Sequence, residues 1–94
     1  MEGEVTDRLR EIYKSAYEEG IWIKEFGGGE CYMAGAGSIA QLEEIEKELG
    51  EEIDVSKLTL GDIINISLPG TGKTREEACE NAIKAWKEYD KRKA

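Results

Sequence analysis

The segment IWIKEFGGGECYMA, residues 21–34, carries the strongest signal for the fold of this chain. Residues 21–26 are mostly β-branched or aromatic, three glycines follow at 27–29, and residues 31–34 are suited to a returning strand. Two runs of this composition on either side of a glycine turn are typical of a β-hairpin. The sequence therefore predicts two antiparallel strands joined by a glycine-rich tip.

Helices are predicted on both sides of this hairpin and again at the end of the chain. Each begins after a residue whose side-chain oxygen can cap a helix, namely Thr6, Ser38 and Thr74. Gly20 and Gly50 stand where the first two helices should end, in the position that favours a left-handed residue. The apolar stripes are Leu9, Ile12, Tyr13, Ala16 and Tyr17; Ile39, Leu42, Ile45 and Leu49; and Ala78, Ala82, Ala85, Trp86 and Tyr89.

A further strand is predicted over residues 63–68, because Ile64, Ile66 and Leu68 alternate with polar residues. Residues 58–60 are compatible either with one more strand or with an irregular turn. The predicted order is therefore α-β-β-α-(β)-β-α. It describes a single α+β domain over residues 1–94, with a three- or four-stranded antiparallel sheet and three helices, expected on one face.

The composition excludes several classes of function. The chain has 94 residues, 13 Lys+Arg against 21 Asp+Glu, two Cys and no His. Without His there is no catalytic triad, no His-based metal site and no His pH switch. A net charge of −8 argues against simple binding to nucleic acid or to an anionic membrane. No metal site and no cofactor is predicted.

Location and assembly follow from the same bulk properties. No run of residues has the apolar length of a membrane span, and the N-terminal residues lack the apolar core of a signal peptide. We therefore expect a cytoplasmic protein. A chain this short buries a limited share of its surface when it folds alone, so a homodimer is also expected.

The negative charge is concentrated in one segment, residues 43–54, where Lys47 is the single basic residue. Its acidic members are Glu43, Glu44, Glu46, Glu48, Glu51, Glu52 and Asp54. Such a run is compatible with a solvated helix face and its exit loop. The more specific alternative is a docking surface for a protein partner with a basic surface.

The segment PGTGKT, residues 69–74, has the same letters as the second part of the phosphate loop of AAA-type ATPases. It follows an apolar run and opens a helix, where backbone N–H groups and a lysine can hold phosphate. The candidate phosphate-binding residues are Gly70, Thr71, Gly72, Lys73 and Thr74.

Nucleotide hydrolysis is nevertheless not predicted. The full motif needs a glycine at the position that Ser67 occupies, and only 20 residues follow Thr74. A phosphate-loop ATPase also needs a multi-stranded parallel sheet, which 94 residues with these elements do not supply. Binding of a small phosphate-bearing ligand, such as a nucleotide, through residues 27–29 and 70–74 stays open.

The end of the chain resembles the last strand and helix of double-stranded-RNA-binding domains. The resemblance rests on a strand, the word GTGKT, and the helix start REEA at residues 75–78. In that family the start of this helix grips phosphates with a lysine-rich turn. Here Glu76 and Glu77 occupy that turn, so the resemblance implies the layout rather than RNA binding.

The same region also resembles HicB-type antitoxins, over roughly the last third of the chain. The matching words are LPG at residues 68–70 and TREEACENA at residues 74–82. The resemblance implies a small α/β domain that binds and occludes a basic RNA-cutting toxin. An acidic chain would suit such a partner.

No catalytic constellation is identified, since Cys31 has no His or basic neighbour to activate it. The sequence therefore predicts no enzyme. The leading hypothesis is a small acidic interaction domain that binds and inhibits or modulates a partner protein. The alternative is a domain that binds a phosphate-bearing ligand through its glycine-rich segments.

Overall fold

The computed structural model describes residues 6–27, 30–59, 61–62 and 66–93. Their elements follow the predicted order and confirm the α+β class. In chain order they are α1 (Asp7–Glu18), β1 (Ile21–Phe26), β2 (Tyr32–Ser38), α2 (Ile39–Leu49), a 3₁₀ turn (Val55–Lys57), β3 (Leu68–Gly72) and α3 (Arg75–Lys93).

The predicted caps fix the ends of the helices. The hydroxyl oxygens of Thr6, Ser38 and Thr74 each accept a hydrogen bond from the backbone N–H three residues later. Gly20 and Gly50 follow α1 and α2 with φ of 77° and 75°, where a side chain would be strained. Local side-chain chemistry therefore sets these boundaries before any tertiary contact is considered.

Within the described ranges, the sheet has three strands in the order β1-β2-β3, and both pairs are antiparallel. The hairpin runs as predicted, from Ile21 opposite Ser38 to Phe26 opposite Met33. On the other side of β2, Ala36 lies opposite Leu68 and Tyr32 opposite Gly72.

The third strand does not lie where the alternation of apolar residues placed it. Leu68 begins the strand, whereas Ile66 is helical and Ser67 lies in a bend; residues 63–65 fall outside the described chain. The strand instead continues through Pro69-Gly70-Thr71-Gly72, a run of low intrinsic strand preference. Pairing with β2 and close contact with α3 override that preference. Leu58 and Thr59 are not in a strand, and Leu60 is not described.

Both faces of the sheet are covered, which corrects the expectation of helices on one face. Ile21 and Ile23 of β1 pack with residues of α1 and α3. The alternate residues, Trp22 and Phe26, pack instead with Leu42 of α2 and with apolar residues between Ile53 and Ile66. The inner face is thus the one under α1 and α3, and the outer face is the one under α2.

Two residues of the predicted apolar stripes of α1 and α2 are not in the core, so their predicted burial was wrong. Tyr17 is 73% exposed and Leu49 is 61% exposed. Tyr17 comes directly after the buried Ala16, so the helical rotation of about 100° per residue turns it away from the sheet. In α3, Tyr89 is also largely exposed, whereas Cys79, outside the predicted stripe, is fully buried. Among the helices described, none combines the length and apolarity needed to cross a membrane.

Candidate functional site

The acidic segment forms the outer surface of α2 and of the chain that follows it. Six of its carboxylates are exposed, and five of these lie outside the turn in which Asp54 binds Ser56. We refer to these five as the acidic surface: Glu43, Glu44, Glu48, Glu51 and Glu52. Since α2 packs on the outer face of the sheet through Leu42, the acidic surface points away from α1 and α3.

Two members of the predicted acidic set also accept hydrogen bonds within the chain. The Glu46 carboxylate accepts a hydrogen bond of 2.7 Å from the backbone N–H of Ile53. Asp54 accepts from the hydroxyl of Ser56 at 2.6 Å and from its backbone N–H at 3.0 Å. The side-chain bond, followed by the backbone bond, lowers the pKa of Asp54 below its ordinary value. These bonds fix the path of the chain after α2 and so hold the acidic surface in place.

An apolar side chain lies within the same segment. Leu49, in the last turn of α2, is 61% exposed and is followed directly by the left-handed Gly50. An exposed aliphatic group among carboxylates offers a partner an apolar contact beside orienting charges. The structure thus adds one residue to the candidate surface that the sequence had assigned to the core.

The predicted phosphate-binding segment is not a loop over most of its length. Gly70, Thr71 and Gly72 are strand residues paired with β2, which corrects the expected phosphate-loop conformation. A Cβ at Gly70 would lie 2.2 Å from the backbone nitrogen of Ala82, and one at Gly72 would lie 2.7 Å from that of Ala78. These glycines let β3 and α3 approach closely, which gives a structural reason for the glycines in residues 69–74.

Lys73 and Thr74 lie between this strand and α3, and both are exposed. The Thr74 hydroxyl already accepts the backbone N–H of Glu77 at 3.1 Å. Glu76 and Glu77 in the first turn add negative charge at a helix start that would otherwise attract an anion. Lys73 is the one cation among the five predicted phosphate-binding residues. The two carboxylates in the first turn of α3 oppose its positive charge.

The two glycine-rich segments leave the sheet at the same end. Phe26 pairs with Met33, and Tyr32 pairs with Gly72, so Gly27 and Lys73 lie on either side of the start of β2. Two strand spacings separate their backbones, about 10 Å. Gly28 and Gly29 lie outside the described residues.

The structure also reveals a polar cluster on the inner face that the sequence analysis missed. The Glu25 carboxylate accepts a bond from Nε of Arg75 at 2.7 Å, a second from its Nη2 at 3.1 Å, and one from the Tyr13 hydroxyl. Glu25 lies two residues after Ile23 and four after Ile21, so in a strand it shares their face. This spacing was the signal in the sequence that a carboxylate would face the core and need hydrogen-bonding partners.

Electrostatics within this cluster holds its groups in fixed protonation states. Burial by itself raises the pKa of Glu25, but the bonds from Arg75 and Tyr13 outweigh it and the net shift is downward. Burial, and then the bond to Glu25, raises the pKa of Tyr13. Burial raises the pKa of Cys79 to about 12, so this thiol stays protonated at neutral pH. The cluster is an ion pair with its hydrogen-bonded partners and lacks an activated nucleophile.

A surface groove of about 650 Å³ lies between α1 and α3. Opposite charges meet across it, Arg8 with Glu80 and Glu19 with Lys87, each pair at 2.8 Å. Across the described ranges, no group of three or more Cys, Asp or Glu side chains is arranged to hold a metal ion. Comparison with models of protein families, with curated proteins and with solved structures finds no match to the chain.

Proposed function

We propose that the protein is a non-catalytic interaction domain that binds a partner protein with a basic surface and thereby inhibits or modulates it. The observation that carries the proposal is the acidic surface, together with the exposed Leu49, on a helix that packs on the outer face of the sheet through Leu42. Within residues 43–54, seven carboxylates against one lysine give −6 of the chain's net −8.

The physical chemistry of the surface suits such a role. Clustered carboxylates accelerate encounter with a basic partner and orient it, whereas a desolvated apolar side chain supplies binding energy that persists in salt. The bonds of Glu46 and Asp54 hold the surface before the partner arrives, which reduces the entropy lost on binding.

Paired charge reversals test the proposal. The variant Glu44→Lys/Glu48→Lys alters the acidic surface, and Glu88→Lys/Asp90→Lys changes the net charge equally on α3, which packs on the other face of the sheet. Affinity capture from a lysate of the source organism, followed by mass spectrometry, identifies proteins retained by wild type. We expect the partner to be retained by the α3 variant and lost with the α2 variant.

Binding to the purified partner then gives the quantitative readout. We expect the α2 variant to bind on the order of tenfold more weakly or worse, and wild-type affinity to fall as ionic strength rises. The proposal fails if no captured protein distinguishes the two variants, or if the affinity does not depend on salt.

A second candidate is binding of a small phosphate-bearing ligand, favoured by the position of Gly27 and Lys73 at the same end of the sheet. Lys73 would supply the positive charge and backbone N–H groups the hydrogen bonds. Isothermal calorimetry with ATP, GTP and inorganic phosphate tests it: heat with wild type that disappears in Lys73→Ala supports this site. No heat with any of the three rules it out for these ligands, as does unchanged heat in the variant.

A further inference from the structure

The hydrogen-bonding direction of each residue in β1 follows from its pairing with β2. The N–H of Ile39 donates to the carbonyl of Gly20 at 2.9 Å, one step beyond the pair Ile21–Ser38. In an antiparallel pair, bonded and non-bonded positions alternate along the strand. Trp22, Lys24 and Phe26 therefore direct their backbone groups toward β2. The backbone groups of Ile21, Ile23 and Glu25 point the other way, to the edge of β1 that lies away from β2.

Among the residues that the structure describes, no strand pairs with this edge of β1. Along the described chain, β1 pairs with β2 alone, and no other backbone bond reaches Ile21, Ile23 or Glu25. The strand is six residues long, contains no proline, and consists mainly of residues that favour strands. Such an edge is a template for another strand.

The other edge of the sheet, along β3, is closed. By the same alternation, Pro69 and Thr71 are the residues of β3 whose backbone groups point outward. Proline has no N–H to donate. The Thr71 carbonyl already accepts a bond of 2.7 Å from the Asn81 side chain of α3. The fold thus blocks one edge and leaves the other able to pair.

We infer that a second copy of this chain occupies the open edge, with the two β1 strands antiparallel across a twofold axis at Ile23. In this register Ile23 pairs with Ile23 of the other copy, and Ile21 pairs with Glu25. All three outward-facing positions then exchange both of their backbone hydrogen bonds. The result is a continuous sheet of six strands, three from each copy.

The side chains favour this register over its neighbour. With the axis at Ile23, Lys24 lies opposite Trp22 of the other copy, so no like charges face each other directly across the interface. Moving the axis to Lys24 places two lysines directly opposite each other, which is destabilising, and leaves Ile21 without a partner inside the strand. Of these two registers, the one with its twofold axis at Ile23 therefore pairs the backbone groups of this edge more completely.

This inference does not depend on the proposed function, because the acidic surface lies on α2 and not on the edge of β1. Small chains gain stability from added burial, which a continuous sheet provides. A protein that dimerises but captures no partner would refute only the proposed function; a monomer that captures one would refute only this inference.

Amide hydrogen exchange combined with sedimentation equilibrium tests the inference on the wild-type chain. As concentration rises, we expect the mass to approach twice that of one chain and the amides of Ile21, Ile23 and Glu25 to become protected. The outward amide of Thr71 should show no such change. A chain that stays monomeric at millimolar concentration overturns the inference, and so does a dimer in which the β1 amides exchange independently of concentration.

A matched pair of proline substitutions gives a second test. Ile23→Pro removes an outward N–H that β2 does not use, and the twofold axis makes this loss count twice. We expect dimerisation to weaken on the order of tenfold or more. Thr71→Pro makes the same change at the closed edge and should leave dimerisation unchanged. Equal dimerisation of both variants would contradict the proposed pairing of the two β1 strands.

Discussion

Glu25 shows how one residue joins three elements. It lies on β1, and its carboxylate receives hydrogen bonds from Tyr13 of α1 and Arg75 of α3. The side chains of Arg75 and Glu25 are 23% and 20% exposed, so this ion pair is largely shielded from water. Charge-assisted bonds in such a setting are stronger than those between solvated groups. The pair therefore fixes the positions of α1 and α3 on the inner face.

We expect Glu25→Gln to lower the free energy of unfolding by about 2 kcal/mol. Glutamine keeps the shape of the side chain but loses the charge that the Arg75 guanidinium requires, and it offers only one acceptor oxygen. Urea unfolding at neutral pH measures the difference. Glu80→Gln is the matched control, because it breaks an Arg–Glu pair of 2.8 Å whose side chains are 65% and 44% exposed. A cost below about 0.5 kcal/mol is expected there.

The same pair predicts how stability changes with pH. Because the pKa of Glu25 in the folded protein lies below its ordinary value of 4.5, its stabilising contribution is complete above that pH. The contribution is lost as the pH falls through the lower, folded-state value. Wild type should therefore lose more stability than Glu25→Gln between neutral and acidic pH. Parallel curves for the two proteins would show that Glu25 does not titrate as described.

At the scale of elements, β3 and α3 lie in close backbone contact. Gly70 and Gly72 face the helix, and Ala78 and Ala82 face the strand, so the two backbones meet without large side chains between them. This packing explains why a strand passes through a proline and two glycines. It also explains the resemblance to a phosphate loop, since the glycines serve helix packing in this fold.

Substitution of Gly70 measures this contact. We expect Gly70→Ala to destabilise the protein by about 3 kcal/mol, the upper end for overpacking, because its Cβ would overlap backbone atoms of α3 that cannot rotate away. Gly27→Ala is the control, since a Cβ there has no neighbour within 4 Å. The midpoints of urea unfolding compare the two variants with wild type. Equal midpoints for the two variants would refute this packing role for Gly70.

For the whole molecule, the sheet separates two environments. The inner face carries α1, α3 and the Glu25 ion pair, and the outer face carries α2 with the acidic surface. Two more regions are distinct from these faces. One is the end of the sheet at Gly27 and Lys73, and the other is the open edge of β1. A partner protein, a small ligand and a second copy would therefore meet different parts of the fold.

Much of this arrangement was predictable from the sequence. The helix caps at Thr6, Ser38 and Thr74 and the hairpin strand Ile21–Phe26 follow local rules, and the structure confirms them. The start of β3 and the exposure of Leu49 were not predictable, because both depend on which neighbour covers a residue. The acidic segment was visible as a charge run, but the structural roles of Glu46 and Asp54 within it were not.

The order of the elements and the ends of the helices can be predicted from the residues alone, because caps, turns and apolar periodicity act over a few residues. Three features are visible only in the folded chain: Gly70 and Gly72 are strand residues against a helix, Glu25 meets Arg75 fifty residues away, and β1 keeps an open edge along the described residues. Those features arise from pairing and packing between distant segments. Residue spacing along the chain carries no direct record of such contacts.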